Sequence, residues 1–359
     1  MMKNRLTLRN LAPFLENNPV EASAPCRLDM GGTLDIRTFY HPLSWLKPST
    51  VNMALDMRTR VRLLPYRQGE VKVSSRGFKT EAMPLDRAPF AHPLGLIFAV
   101  AYYFRVDGVH IDIESASPPR SALGGSSVAS VALIAAISKV LKQVAGNPLP
   151  NPSQTALLAH AIEESVAGVP CGIQDHLAAV HGGVNRWEWP KNIEEPPFKR
   201  EALIPNDSVE ALSTRLLVAY CGIPHESKDV NGTWIRQFLS GSTRPQWIEI
   251  ANCSRQFGDA LKEQNIVVAV TAMNREMDIR KKMTPAVLDD LGDSLVGAAT
   301  GGGCGARITG AGGGGCIWAM GQSKDIEALG PVWQNILSRR EEARLLDCSI
   351  DPVGVTTET

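Results

Sequence analysis

The chain has 359 residues, 44% hydrophobic and 21% charged, so a sizeable core is available and length favours two domains. Its 37 basic residues balance 37 acidic ones without a basic block, which argues against nucleic acid as a partner. No apolar run reaches the ~18 residues of a membrane span, and Met1 to Ala22 lack a signal-peptide core. Seven cysteines without a C-x-x-C pair point to reduced thiols in the cytoplasm, not a disulfide frame or zinc site.

In chain order, Leu6 to Asn17 reads as a short helix and Cys26 to Met30 as a strand broken by Gly31-Gly32. Val51 to Leu64 alternates like a half-buried antiparallel strand, with Val71 to Ser75 as its expected hairpin partner. Pro93 to Phe104 reads as a buried helix, Val109 to Ser115 as a strand, and Ser126 to Val144 as a long buried helix. Asn151-Pro152-Ser153 is a helix start, and the helix continues from Gln154 to Val166. A Gly/Pro loop then delivers Asp175 to a short helical run, followed by a strand, Val184 to Trp189. Pro, Glu and Lys dominate from Asn192 to Asn206, which places a boundary near Asp207: one domain over 1–206, another over 207–359. Beyond it, Thr214 to Cys221 reads as a strand; Val230 to Phe238, Gln246 to Gln264, Pro285 to Ala299 and Ser323 to Arg344 as helices; and Cys348 to Val355 as a final strand. Arg280, Lys281 and Lys282 form a cationic cluster.

The 31 glycines are clustered. Pro118 to Ser130, PPRSALGGSSVAS, has a strand before it and a helix after it, an order that offers open backbone amides and a positive helix end to an anion such as phosphate. An ordinary turn with a serine N-cap is the competing reading. It is neither a Walker A loop nor a dinucleotide fingerprint. Four consecutive glycines, Gly312 to Gly315, are unsuited to any element interior and belong where bare backbone is needed. Phosphoryl transfer needs a phosphate cradle, a metal, a cation and a group to orient or deprotonate the acceptor hydroxyl. A zinc hydrolase fits poorly, because the histidines show no H-E-x-x-H or H-x3-H pair, and a serine hydrolase fits poorly without a G-x-S-x-G elbow.

Three motifs together resemble the GHMP kinase superfamily (galactokinase, homoserine kinase, mevalonate kinase, phosphomevalonate kinase): APCRLDMGGTLD, Ala24 to Asp35; PPRSALGGSS, Pro118 to Ser127; and GARITGAGGGGC, Gly305 to Cys316. Glu163 to Gly183 is similar to sugar kinases of that family, and Arg27 to Asp35 resembles the fucokinase and heptose-phosphate-kinase branch. The resemblance implies an α+β fold with an N-terminal α/β domain, a C-terminal ferredoxin-like domain and an active site between them. It implies ATP and Mg²⁺. By the same resemblance Asp175 is the catalytic aspartate and Arg27 the basic residue beside it, stabilising the transferring phosphate. Ser126 and Glu163 match the metal ligands, with Glu164 the competing carboxylate. Pro119, Leu123, Gly124, Gly125, Ser126 and Ser127 belong to the nucleotide loop. Asp35 matches a carboxylate that binds substrate hydroxyls, with Asp29 as a further candidate and Gly312 and Gly313 supporting the substrate side of the cleft.

There are departures from the pattern. Arg120 and Ala122 stand where the second motif often has glycine, Gly125 replaces its first serine, and the first motif is one residue short before Gly31. The expected acceptor is a small molecule, a sugar or sugar phosphate carrying an anomeric hydroxyl. A mevalonate-type alcohol and a catalytically silent sugar sensor are the alternatives. A phosphorylated acceptor would need a further basic cluster, for which Arg37, His41, Lys47 and Lys228 are the candidates. A monomer and a homodimer are both compatible with the sequence.

Overall fold

Alternating residues from Val51 to Leu64 do produce a long strand, and the N-terminal half is arranged around it. The computed structural model describes residues 9–192, 194–224 and 230–358. Its first half contains β1 (Arg9–Asn10), α1 (Ala12–Leu15), β2 (Val20–Met30), α2 (Arg37–Tyr40), β3 (Ser49–Pro65), β4 (Glu70–Ser75), β5 (Glu81–Pro84), α3 (Gly95–Phe104), β6 (Val106–Asp107) and β7 (Val109–Ser115). There follow α4 (Gly125–Ala145), α5 (Pro152–Ala167), α6 (Gln174–His181), β8 (Val184–Glu188) and β9 (Lys199–Ala202). The second half contains α7 (Val209–Ser213), β10 (Leu216–Tyr220), α8 (Val230–Leu239), α9 (Arg244–Lys262), α10 (Ile266–Met283), α11 (Asp290–Gly301), β11 (Gly305–Ile308), β12 (Cys316–Met320), α12 (Ser323–Leu337), β13 (Arg344–Leu346) and β14 (Thr356–Glu358).

The larger sheet runs β14-β2-β3-β7-β4-β5, with β8 beside the first half of β3 and β9 beyond it. All its pairs are antiparallel except β4 with β7. Val71 to Ser75 is therefore not the hairpin partner of β3. The more apolar β7, which buries Val109, Ile111 and Ile113, takes the inner position between them. The smaller sheet runs β11-β12-β10-β13, all antiparallel. Its strands and helices follow a βαββαβ path, a ferredoxin-like arrangement. The fold is thus α+β, with two packed layers in each half.

Helix α4 is 21 residues long and apolar enough to cross a bilayer by length and composition, which the expectation of no such run did not foresee. Its window is 72% buried, packed as a core helix. Three other expectations change. Of the helix expected over Leu6 to Asn17, Leu6 to Leu8 lie outside the described residues, and among the rest Ala12–Leu15 is helical. The helix from Ser323 ends at Leu337, and Arg344–Leu346 pairs with β10 instead. Cys348 to Val355 is irregular, touching β3 through a single Leu55–Ile350 bridge, and the last strand is Thr356–Glu358, on the edge of β2. The division at 206/207 separates the two sheets except at that end, where the chain returns to the first one.

Candidate active site

The loop before α4 is shaped by backbone conformation. Arg120 and Ala122, the two positions where the motif often has glycine, have φ of 53° and 61°. Both adopt the left-handed conformation that glycine tolerates best, so the loop path is kept at a cost in strain. Gly124, at φ 85°, is the N-cap of α4 and supplies no side-chain cap. The first-turn amides of α4 therefore have no intrahelical acceptor, an arrangement suited to an anion. Gly125 and Ser126 are exposed there. Leu123 is fully buried in the core, and its carbonyl accepts the Arg27 amide, so it anchors the loop rather than lining a ligand site. Pro119 is exposed at the far side of the loop, beside Gly77.

Strand β2 brings Arg27 to the floor of this loop. Arg27 Nε donates to Asp175 Oδ1 at 2.7 Å, and Nη1 donates to the Ala122 carbonyl at 2.8 Å. Burial opposes the Arg27 charge, but Asp175 and Asp29 outweigh it and hold the guanidinium firmly protonated. Asp175 sits in the first turn of α6, with a side chain 20% exposed. A β-carbon added at Gly124 would lie 3.1 Å from Asp175 Oδ2, so α6 and the glycine loop are in direct apposition.

Asp35 reaches the same helix end. Its Oδ2 accepts the Gln174 amide at 3.0 Å, capping α6. Burial, with Asp175 nearby, pushes its carboxyl up to about 6. Asp29 is a different matter and corrects the expectation of a substrate ligand. Its Oδ1 accepts the Gly310 amide at 2.8 Å, its Oδ2 accepts Arg307 Nη1 at 2.9 Å, and its side chain is fully buried. Burial raises its pKa, but Arg307 and Arg27 more than reverse that and leave it below the usual range.

Glu163, near the end of α5, accepts Ser126 Oγ at 3.0 Å and Ser127 Oγ at 2.7 Å. His176 Nε2 lies 2.7 Å from Glu163 Oε2. Burial disfavours the Glu163 charge, yet His176 and the two serines outweigh it and hold the carboxylate below its ordinary pKa. Glu163, not Glu164, is therefore the carboxylate that faces the serines. Ser127 is buried, with its hydroxyl committed to Glu163. An exposed hydroxyl and an ionised carboxylate are hard oxygen donors of the kind Mg²⁺ accepts, one or two from protein and the rest from phosphate or water. Among the described residues no cluster of three or more His, Cys, Asp or Glu side chains could hold a metal alone.

The third glycine motif closes the site from the second half, but not through the residues expected. The Gly312 amide turns to Thr309 and the Gly313 amide to the Val287 carbonyl, both within their own domain. The contacts with the first half come from Gly310, through Asp29, and from Gly315, where an added β-carbon would lie 2.7 Å from the Ser121 carbonyl. Arg37, His41 and Lys47 are all exposed and build no buried cationic site, and Lys228 lies outside the described residues. The sequence reading missed His176, Glu276 and Arg307. A lone arginine in the otherwise apolar run Gly305–Ile308 was the one available signal, since charge inside a buried strand requires a partner.

The family model of the GHMP kinases N terminal domain matches residues 94–183. Over 329 residues the chain is 27% identical to the mevalonate kinase of Thermococcus onnurineus, covering 86% of this chain and 91% of that protein. Residues 94–183 thus match a GHMP kinase N-terminal domain, and over most of its length the chain is similar to mevalonate kinases. Its solved neighbours include the Lactococcus lactis galactokinase complexed with galactose, at TM-score 0.72 and 16% identity over 96% of this chain and 99% of the other. Another is a D-glycero-D-manno-heptose 1-phosphate kinase from Bacteriodes thetaiotaomicron, at TM-score 0.69 and 16% identity, covering 95% and 99%. At such identities these neighbours establish the GHMP fold. The similarity supports an ATP-dependent phosphotransferase acting on an alcohol group.

Proposed function

We propose that this kinase transfers the γ-phosphate of ATP to a sugar hydroxyl, the anomeric one of a free sugar or sugar phosphate. The observation that carries the reading is the Arg27–Asp175 pair beside the uncapped start of α4. The open amides at Gly124 to Ser126 would hold phosphate oxygens. Arg27 contributes a fixed positive charge toward the transferring group. Asp175 keeps Oδ1 on Arg27 and has Oδ2 to orient the acceptor hydroxyl and take its proton as the new P–O bond forms and the bond to ADP breaks. Mg²⁺, when bound with the nucleotide, supplies neutralisation of the β- and γ-phosphates, and Ser126 and Glu163 are the residues that would hold it. The seven free thiols, five of them buried, support a reducing compartment, the cytoplasm.

Asp35 supports a polyhydroxylated acceptor. A carboxylate near Asp175 accepts hydroxyl hydrogens well and disfavours an acceptor carrying its own negative charge beside it. The second reading, a mevalonate-type alcohol, is favoured by the 27% identity with the Thermococcus onnurineus mevalonate kinase. ATP-dependent ADP release against free sugars, sugar phosphates and mevalonate separates them. Turnover with mevalonate and with no sugar sinks the sugar reading. With the acceptor found, Asp175→Ala should lower kcat by about 10² or more, and Arg27→Ala should cost more than Arg120→Ala. A loss below about tenfold for Asp175→Ala means that the proton-handling group lies elsewhere. No turnover with any acceptor leaves the silent-sensor reading.

A further inference from the structure

Five charged side chains are sealed between the two halves and form one line of contacts ending at Asp175. Glu276, on α10, accepts Arg280 Nε at 2.6 Å and Arg307 Nε and Nη2 at 3.1 and 3.2 Å. Arg280 lies between Trp234 and Trp247, 5.0 and 5.4 Å from their ring centroids, and donates Nη2 to the Gly32 carbonyl at 2.7 Å. Arg307, on β11, gives Nη1 to Asp29 Oδ2 at 2.9 Å and to the Asp29 carbonyl. Asp29 Oδ1 lies 3.4 Å from Arg27 Nη1, and Arg27 Nε is on Asp175. The side chains of Asp29, Glu276, Arg280 and Arg307 are completely buried.

Charges so deep are poor stabilisers, because desolvation offsets their attraction, and an apolar set of similar volume is often as stable. Their geometry is the informative part. Glu276 grips the Nε and Nη2 edge of the planar Arg307, which aims Nη1 at both the carboxylate and the carbonyl of Asp29, and Arg27 Nη1 sits against Asp29 Oδ1 while donating to the Ala122 carbonyl. The direction left to Arg27 Nε is toward Asp175. We infer that Arg307 is a positioning residue for phosphoryl transfer: from the C-terminal sheet it holds Asp29, which sets Arg27, which aims Asp175. The inference rests on the roles proposed above for Arg27 and Asp175.

Arg307→Lys keeps the buried charge and loses the fork. Glu276→Gln, the milder change, loosens Arg307 without touching Asp29. In protein labelled with ¹⁵Nε-arginine, the Arg27 Nε–H signal, assigned by its loss in Arg27→Lys, should exchange at least about tenfold faster in either variant. With a working acceptor, kcat should fall at least about tenfold while both KM values stay within about threefold. Arg307→Lys should add little in an Arg27→Lys background, because the two act in series. An unchanged Arg27 signal in a folded variant overturns the inference whether or not an acceptor is known, and so does a loss of kcat that multiplies independently with Arg27→Lys. Absence of wild-type turnover would sink the kinase reading alone and leave the arginine signal to decide the positioning role.

Discussion

Asp35 carries the plainest conflict between stability and function. In the folded protein its carboxyl is pushed up to about 6 from 3.8, mainly by burial. Between those two pH values the native state keeps a proton that the unfolded chain has released. Stability therefore falls as pH rises through that window, and the deficit is complete above about 6. Asp35→Asn retains an oxygen for the Gln174 amide and removes the buried charge. Its melting temperature at pH 7.5 should exceed that of the wild type, by on the order of 1–3 kcal/mol in stability, with the gap closing toward pH 4. The same variant should raise the acceptor KM. A melting temperature unchanged across pH would show that Asp35 is not held as a strained acid. Three arginines, Arg27, Arg280 and Arg307, stand against Asp29, Glu276 and Asp175, and among the described residues none of the three is ion-paired with Asp35.

The start of α4 is where an element acquires chemistry. Its apolar length makes it a core helix, and its uncapped N-terminus suits it to an anion. The loop that feeds it follows a glycine-like path with Arg120 and Ala122 in left-handed conformation. Ala122→Gly should relieve that strain and stabilise the fold by about 0.5–1 kcal/mol, read by denaturant unfolding. Gly315 is the opposite case. At φ 84° and against the Ser121 carbonyl, it has no room for a methyl group. Gly315→Ala should cost about 2 kcal/mol or more and, on the proposed role of the loop before α4, raise the KM for ATP, because it pushes the third motif off that loop. A Gly315→Ala protein with wild-type stability and KM would mean that the two motifs do not depend on each other.

Across the whole molecule, the chain end ties the second half back to the first. β14 extends the larger sheet beside β2, and Arg58 on β3 gathers the strap before it. Its guanidinium reaches Asp351 Oδ2, the carbonyls of Val353 and Gly354, and Ser23. The strap also crosses the end of α6, where an added β-carbon at Gly182 would collide with Val353. Arg58→Ala leaves several carbonyls and a carboxylate without donors and should lower stability by about 2 kcal/mol or more, visible as a lower melting temperature. Unaltered melting would mean that strand pairing alone holds the strap.

Local patterns were enough to expose the glycine motifs, the helix after Gly125 and the strand around Val51, because phosphate cradles and amphipathic periods are written in neighbouring residues. The resemblance to GHMP kinases that those motifs carry pointed to Arg27, Asp175 and Glu163. What they could not assign was how each carboxylate is used. Asp29 and Asp35 lie in one short motif and look alike in it, yet one is neutralised by an arginine 278 residues away and the other is left as a buried acid. That difference arises from packing β11 and α10 against β2, contacts between segments far apart in the chain. The same packing selected Gly310 and Gly315 over Gly312 and Gly313, because the path of a glycine turn in space depends on what it must pass.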